Sequence, residues 1–83
     1  MDIYYKENEI VTVDLHCMRE WEAMLYLSDC IEKAGPEIKE VLVIHGYKHG
    51  DKLARLVRNE FHNKRILRKF LSLNPGRTSL ILK

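Results

Sequence analysis

The chain has 83 residues, of which 46% are apolar and 31% charged, the make-up of one ordinary globular domain over residues 1–83 rather than a disordered, fibrous or membrane protein. No stretch approaches the roughly 20 apolar residues that cross a bilayer, and Met1-Asp2-Ile3-Tyr4-Tyr5-Lys6 lacks the basic start and apolar run of a signal peptide, so a cytoplasmic protein without a membrane partner is expected. The net charge of +2 conceals an asymmetry: residues 1–40 carry four Lys/Arg against ten Asp/Glu, and residues 41–83 carry ten against two. A basic half of this kind is the footprint of a polyanionic partner.

Residues 1–9 read as a polar, partly ordered lead-in, and residues 10–83 as the folded core. Over residues 10–16, Val11, Val13 and Leu15 alternate with Thr12, Asp14 and His16, which predicts a strand with a polar end. From Arg19 to Ala34, Ala23, Met24, Leu27, Cys30, Ile31 and Ala34 recur at three- and four-residue steps, the stripe of a helix buried on one side. Gly35-Pro36 stops it. Val41-Leu42-Val43-Ile44 is the short β-branched run of a strand covered on both faces, ended by His45-Gly46. A second helix is predicted over Asp51 to His62, where Leu53, Val57 and Phe61 share a face and Gly50-Asp51 can open and cap it. Residues 66–71 and 78–82 read as strands around the turn Asn74-Pro75-Gly76-Arg77. The fold class is thus α/β, a two-layer βαβαββ sandwich with a mixed four-stranded sheet and two helices on one side.

A strand–helix–strand connection is right-handed with parallel strands, and ligands collect at the carboxyl ends of such strands. Asp14 and His16 are therefore expected at the same sheet edge as His45-Gly46, beside the start of the second helix. The loop from His45 to Gly50 combines two glycines with Lys48 and the N–H groups of a helix start, a combination suited to phosphate. Lys52, Arg55, Arg58, Asn59 and His62 fall on one face of the second helix, away from Leu53, Val57 and Phe61, and extend the cationic surface.

Val13-Asp14-Leu15-His16 resembles the Leu-Asp-X-His motif of the Smr (small MutS-related) domain family, and His45-Gly46 followed by Gly50 resembles its His/Thr-Gly-X-Gly loop. The resemblance covers roughly residues 11–83. Cys17 stands where that family usually has glycine, and Lys48 replaces a loop glycine. The resemblance implies a fold like the C-terminal domain of translation initiation factor 3, binding to DNA or RNA, and endonuclease activity. Asp14, His16 and His45 are then the candidate catalytic residues. Asp14 would orient or deprotonate the attacking oxygen or hold a divalent cation such as Mg²⁺, and His16 would protonate the leaving oxygen. Gly46, Lys48, His49, Gly50, Lys52 and Arg55 are the candidate nucleic-acid contacts. A non-catalytic binding module is the alternative, and an adaptor for another protein a third.

Cys17 and Cys30 lack CxxC spacing, and no spacing among His16, Cys17, His45 and His49 requires a metal, so none is assigned. Cys30 is expected in the core and Cys17 in a loop. Trp21 and Leu25, four residues apart and off the buried stripe of the first helix, form a candidate patch for a homodimer or for the N-terminal segment to cover.

Overall fold

The computed structural model describes residues 4–46 and 51–83. In chain order the elements are β1 (Tyr4–Glu7), β2 (Ile10–Asp14), α1 (Glu20–Lys33), β3 (Glu40–Ile44), α2 (Lys52–Arg55) continuing as a π-helical turn (Leu56–Glu60), β4 (Ile66–Leu71) and β5 (Arg77–Leu82). They form one five-stranded sheet in the order β1-β2-β3-β5-β4. The β2–β3 pair is parallel and the others antiparallel, so the sheet is mixed, as the sequence predicts.

The fifth strand corrects the expectation of four. β1 pairs with β2 through a two-residue turn, with Glu7 opposite Ile10. Asn8 takes φ 57 there, a left-handed conformation that asparagine tolerates better than most residues and that such tight hairpins need. The segment Tyr-Tyr-Lys-Glu has no apolar alternation, which is why its role as an edge strand is hidden in the sequence.

The core lies between one face of the sheet and the helices. Val11 and Val13 of β2, Val41 and Val43 of β3, and Leu80 and Leu82 of β5 meet Ala23, Leu27, Cys30 and Ile31 of α1 and Val57 and Phe61 beyond α2. The alternation in β2, β3 and β5 and the three- and four-residue steps in α1 thus bury the residues that their periods select. β3 is buried on alternate positions only, so its other face is half-open rather than covered, contrary to its wholly apolar reading.

The second helix departs further from expectation. Only Lys52–Arg55 is α-helical, and Phe61 N donates to Leu56 O at 2.7 Å, an i to i+5 bond that closes the π turn. Leu56 and Val57, three and four residues after Leu53 and so on its face, are both buried, and the wider turn follows them. Asp51 stands at the N-cap without a side-chain cap bond, and its carboxylate instead pairs with Arg55 at 3.3 Å. Among the described residues no helix is long and apolar enough to cross a membrane.

Candidate nucleic-acid interface

The parallel register places Asp14 opposite Ile44, and Leu15 N donates to Ile44 O at 2.7 Å, so the carboxyl ends of β2 and β3 finish level. The chain after β2 turns sharply. Cys17 has φ 70, a conformation that costs an L-residue with a Cβ about 1–2 kcal/mol relative to glycine's ease there, and glycine is the residue the motif usually has. The turn brings His16 back onto Asp14. Oδ1 of Asp14 accepts a hydrogen bond from His16 N–H at 3.1 Å and a second from His16 Nδ1–H. Asp14 is buried at 8% exposure, whereas the His16 side chain is 55% exposed. With Nδ1 held by the carboxylate, the proton-accepting nitrogen left free is Nε2.

Gly46, at the end of β3, has φ 75, and a Cβ built there would meet the His16 Cβ at 3.6 Å. Glycine therefore serves Gly46 through its backbone conformation, with the two motif segments in contact. The turn before β5 secures this arrangement. Gly76 O accepts from His45 N–H at 2.9 Å and from Gly46 N–H at 3.0 Å. Asn74 builds the turn, its side-chain oxygen accepting from Gly76 N–H at 2.9 Å.

His45 occupies a different environment from His16. It is 3% exposed, its Nδ1–H donates to Gly46 O at 2.9 Å, and its Nε2 lies 2.8 Å from Thr78 Oγ1. Arg58 Nε–H donates to the same Thr78 oxygen at 2.8 Å, which leaves the Thr78 hydroxyl proton for His45 Nε2. Burial pushes the His45 pKa below its ordinary value; the bond to Gly46 opposes this and the nearby Arg58 charge adds to it. A neutral imidazole with both nitrogens engaged is the result. Arg58 is likewise committed, its Nη2 reaching Arg77 O at 3.1 Å and Pro75 O at 3.4 Å.

Beside His16 opens a cleft of about 950 Å³. Its walls include Met18, Ile44 and Leu53, and its described charged residues are Arg19, Lys52, Arg55 and Arg77 against Glu20 and Asp51. Of the residues singled out in sequence, His16, His45, Gly46, Lys52 and Arg55 come together on this cleft, His45 only by its small exposed part, with Asp14 bonded to His16. Arg55 is held by Asp51. Lys48, His49 and Gly50 lie outside the described residues. Arg19, Arg77 and Thr78 join the site without having been singled out. Arg19 and Arg77 follow the two turns that bound it, and position after a turn at the carboxyl edge was the available signal. Thr78 gives no signal in the sequence, since a threonine in a strand is ordinary. Among the described residues no three His, Cys, Asp or Glu side chains gather as a metal site.

Trp21 and Leu25 are 62% and 64% exposed and line a shallow depression with Met18 and Tyr26. Their exposure agrees with their place off the buried stripe, but the arrangement lends no support to a homodimer. Cys17 is exposed and Cys30 buried.

No family profile and no curated protein matches the sequence. Among solved structures, the crystal structure of the Smr domain of Thermus thermophilus MutS2 superposes with a TM-score of 0.77, covering 87% of this chain and 96% of that one at 23% identity. The chain thus has the Smr-like α/β fold that its two motifs imply.

Proposed function

We propose that the cleft at the carboxyl ends of β2 and β3 binds nucleic acid and that His16, set by Asp14, acts there as the general acid or base in phosphodiester cleavage. One observation carries this reading: an exposed imidazole whose Nδ1 is fixed by a buried carboxylate stands at a cleft with an excess of arginine and lysine. The arrangement resembles the carboxylate–histidine pair of hydrolytic sites, where the carboxylate selects the tautomer and the other nitrogen moves the proton. Nε2 of His16 takes a proton from the attacking hydroxyl or returns one to the leaving oxygen. Arg19 and Arg77, exposed at the cleft, stabilise the charge that builds on the phosphorus oxygens. The Smr-like fold supports the same reading.

His45 holds the Gly46 backbone against the β5 turn in this scheme and does not react, a revision of its place among the catalytic candidates. Its burial and two occupied nitrogens support this positioning role over a catalytic one. Lys48, His49 and Gly50 remain proposed contacts on sequence grounds. A divalent cation would supply charge stabilisation at the phosphate, and the assay therefore includes Mg²⁺ and chelator arms.

The test is to incubate the protein, Asp14→Asn and His16→Ala with labelled single-stranded RNA, duplex DNA and branched DNA, scoring binding and cleavage together. Cleavage by the wild type should fall about 10²- to 10⁴-fold in His16→Ala, the range for loss of a general acid or base. Asp14→Asn should fall as well, because an amide can donate to Nδ1 and so favours the wrong tautomer. Binding without cleavage by the wild type would leave a binding module only, and the absence of binding would reject the proposal.

A further inference from the structure

We infer that the cleft accommodates a single unpaired nucleotide, its base against Met18, Ile44 and Leu53 and its phosphate toward His16, Arg19 and Arg77. This rests on the nucleic-acid reading above and specifies the form of the ligand.

The walls and rim of the cleft differ in chemistry. Met18 and Leu53 pack against the core yet remain partly exposed, and Ile44 is half-buried at the end of β3. Such a wall offers a phosphate nothing, since a charged, hydrated group gains no partner from thioether and alkyl carbons. The flat face of a base is the complementary part of a nucleic acid, and burying it there removes apolar surface from water. The rim supplies what the base lacks. Arg19 and Arg77 are exposed, and neither has a carboxylate partner among the described residues, while Asp51 is taken by Arg55. His16 lines the same cleft and is bonded to Asp14.

The volume of about 950 Å³ lies within the range of small-ligand pockets, about 300–1,000 Å³. In a duplex both faces of each base are covered by neighbours, so a base reaches such a wall only when unpaired or turned out of the stack. A loop, bulge, end or single strand meets that condition without the cost of opening a pair. The site therefore selects unpaired nucleotides by the shape and polarity of its wall, independently of whether the sugar is ribose or deoxyribose.

The test compares a short labelled single-stranded oligonucleotide with an abasic backbone of the same length and charge, by fluorescence anisotropy. A perfect duplex and the same duplex carrying one bulged nucleotide complete the set. The base-bearing strand should bind about tenfold or more tightly than the abasic one, the scale of losing one stacked base, and the bulged duplex more tightly than the perfect one. Met18→Ala and Leu53→Ala should narrow the gap between base-bearing and abasic strands, with thermal melting confirming that each variant folds. Equal binding of base-bearing and abasic strands, or of perfect and bulged duplexes, overturns the inference while leaving nucleic-acid binding intact. Failure of every probe to bind overturns both.

Discussion

His16 and His45 show how two histidines at one sheet edge acquire different properties from their surroundings. His16 is exposed and held at one nitrogen, whereas His45 is buried and held at both. The lowered pKa of His45 has a consequence for stability. Below its ordinary value of 6.5 the unfolded chain takes up a proton that the folded chain resists, so the unfolded state binds more protons in that window. His45 therefore makes stability fall as pH drops from 6.5 toward its depressed folded value, and its contribution is fully present above 6.5. Urea unfolding between pH 7.5 and pH 5 should show this fall, and His45→Gln should flatten it; an unchanged slope would contradict the assignment. The sequence makes both histidines candidates at strand ends, His16 on its place in the Asp-X-His motif and His45 with the weaker claim of a residue that bonds to backbone there. What separates them is Thr78, 33 residues away, and the Arg58 that binds it. Cys17 is the opposite case. Its departure from the motif's glycine is plain in the sequence, and the left-handed φ gives the physical reason that glycine is usual there.

The elements end where basic side chains close them. α1 finishes at Lys33 before Gly35-Pro36, and its last carbonyls are received by Arg65, from Nη1 to Ile31 O at 2.9 Å and Ala34 O at 2.5 Å and from Nη2 to Gly35 O at 3.0 Å. The stop itself is legible as Gly-Pro, while the arginine that caps it comes from beyond the second helix and is not. Charged donors on carbonyls at a helix C-terminus gain from both hydrogen bonding and the helix dipole. Arg65→Ala should cost about 1.5–3 kcal/mol of unfolding free energy in urea titration, the range for hydrogen bonds made by a charged group. A change under about 0.5 kcal/mol, the ordinary scatter of surface substitutions, would show that water replaces the guanidinium at no loss. The π turn after α2 is the element least visible in sequence. Leu53, Val57 and Phe61 fit a regular helix on paper, and only the bond from Phe61 N–H to Leu56 O distinguishes the wider turn.

Across the whole molecule, the division into an acidic first half and a basic second half overstates the surface offered to a polyanion. Arg58, Arg65 and Lys69, three of the ten cations after residue 40, are spent on carbonyls and on Thr78. The cleft also draws Arg19 from the acidic half, so the chemistry follows the folded edge rather than the halves of the sequence. Arg19, Lys52 and Arg77 are the described cleft cations without a carboxylate partner among the described residues. If Arg19 and Arg77 share the phosphate of the seated nucleotide and Lys52 neutralises a second, log K against log salt concentration should have a slope of about −1.4, and Lys52→Ala should lessen it by about 0.7. Salt-independent affinity would exclude this role for the rim. The order of strands and helices was largely readable because periodicity marks a buried face; the closing of the site was not, because it depends on contacts between β5, the π turn and the β3 loop.

Lys69 stands on β4, an edge strand of the sheet, opposite Leu80 and turned to the covered face, where its ammonium reaches Val57 O at 2.8 Å, Arg58 O at 3.3 Å and Phe61 O at 2.5 Å. Its neighbours Leu67, Phe70 and Leu71, with Leu73 just beyond, are exposed. Such a strand is a template for aggregation, and a slip of one residue would bring Phe70 or Arg68 into the place of Lys69. That slip would pull the ammonium from three carbonyls and leave them without a donor. The lysine thus ties an otherwise sticky edge strand to one alignment within its own sheet.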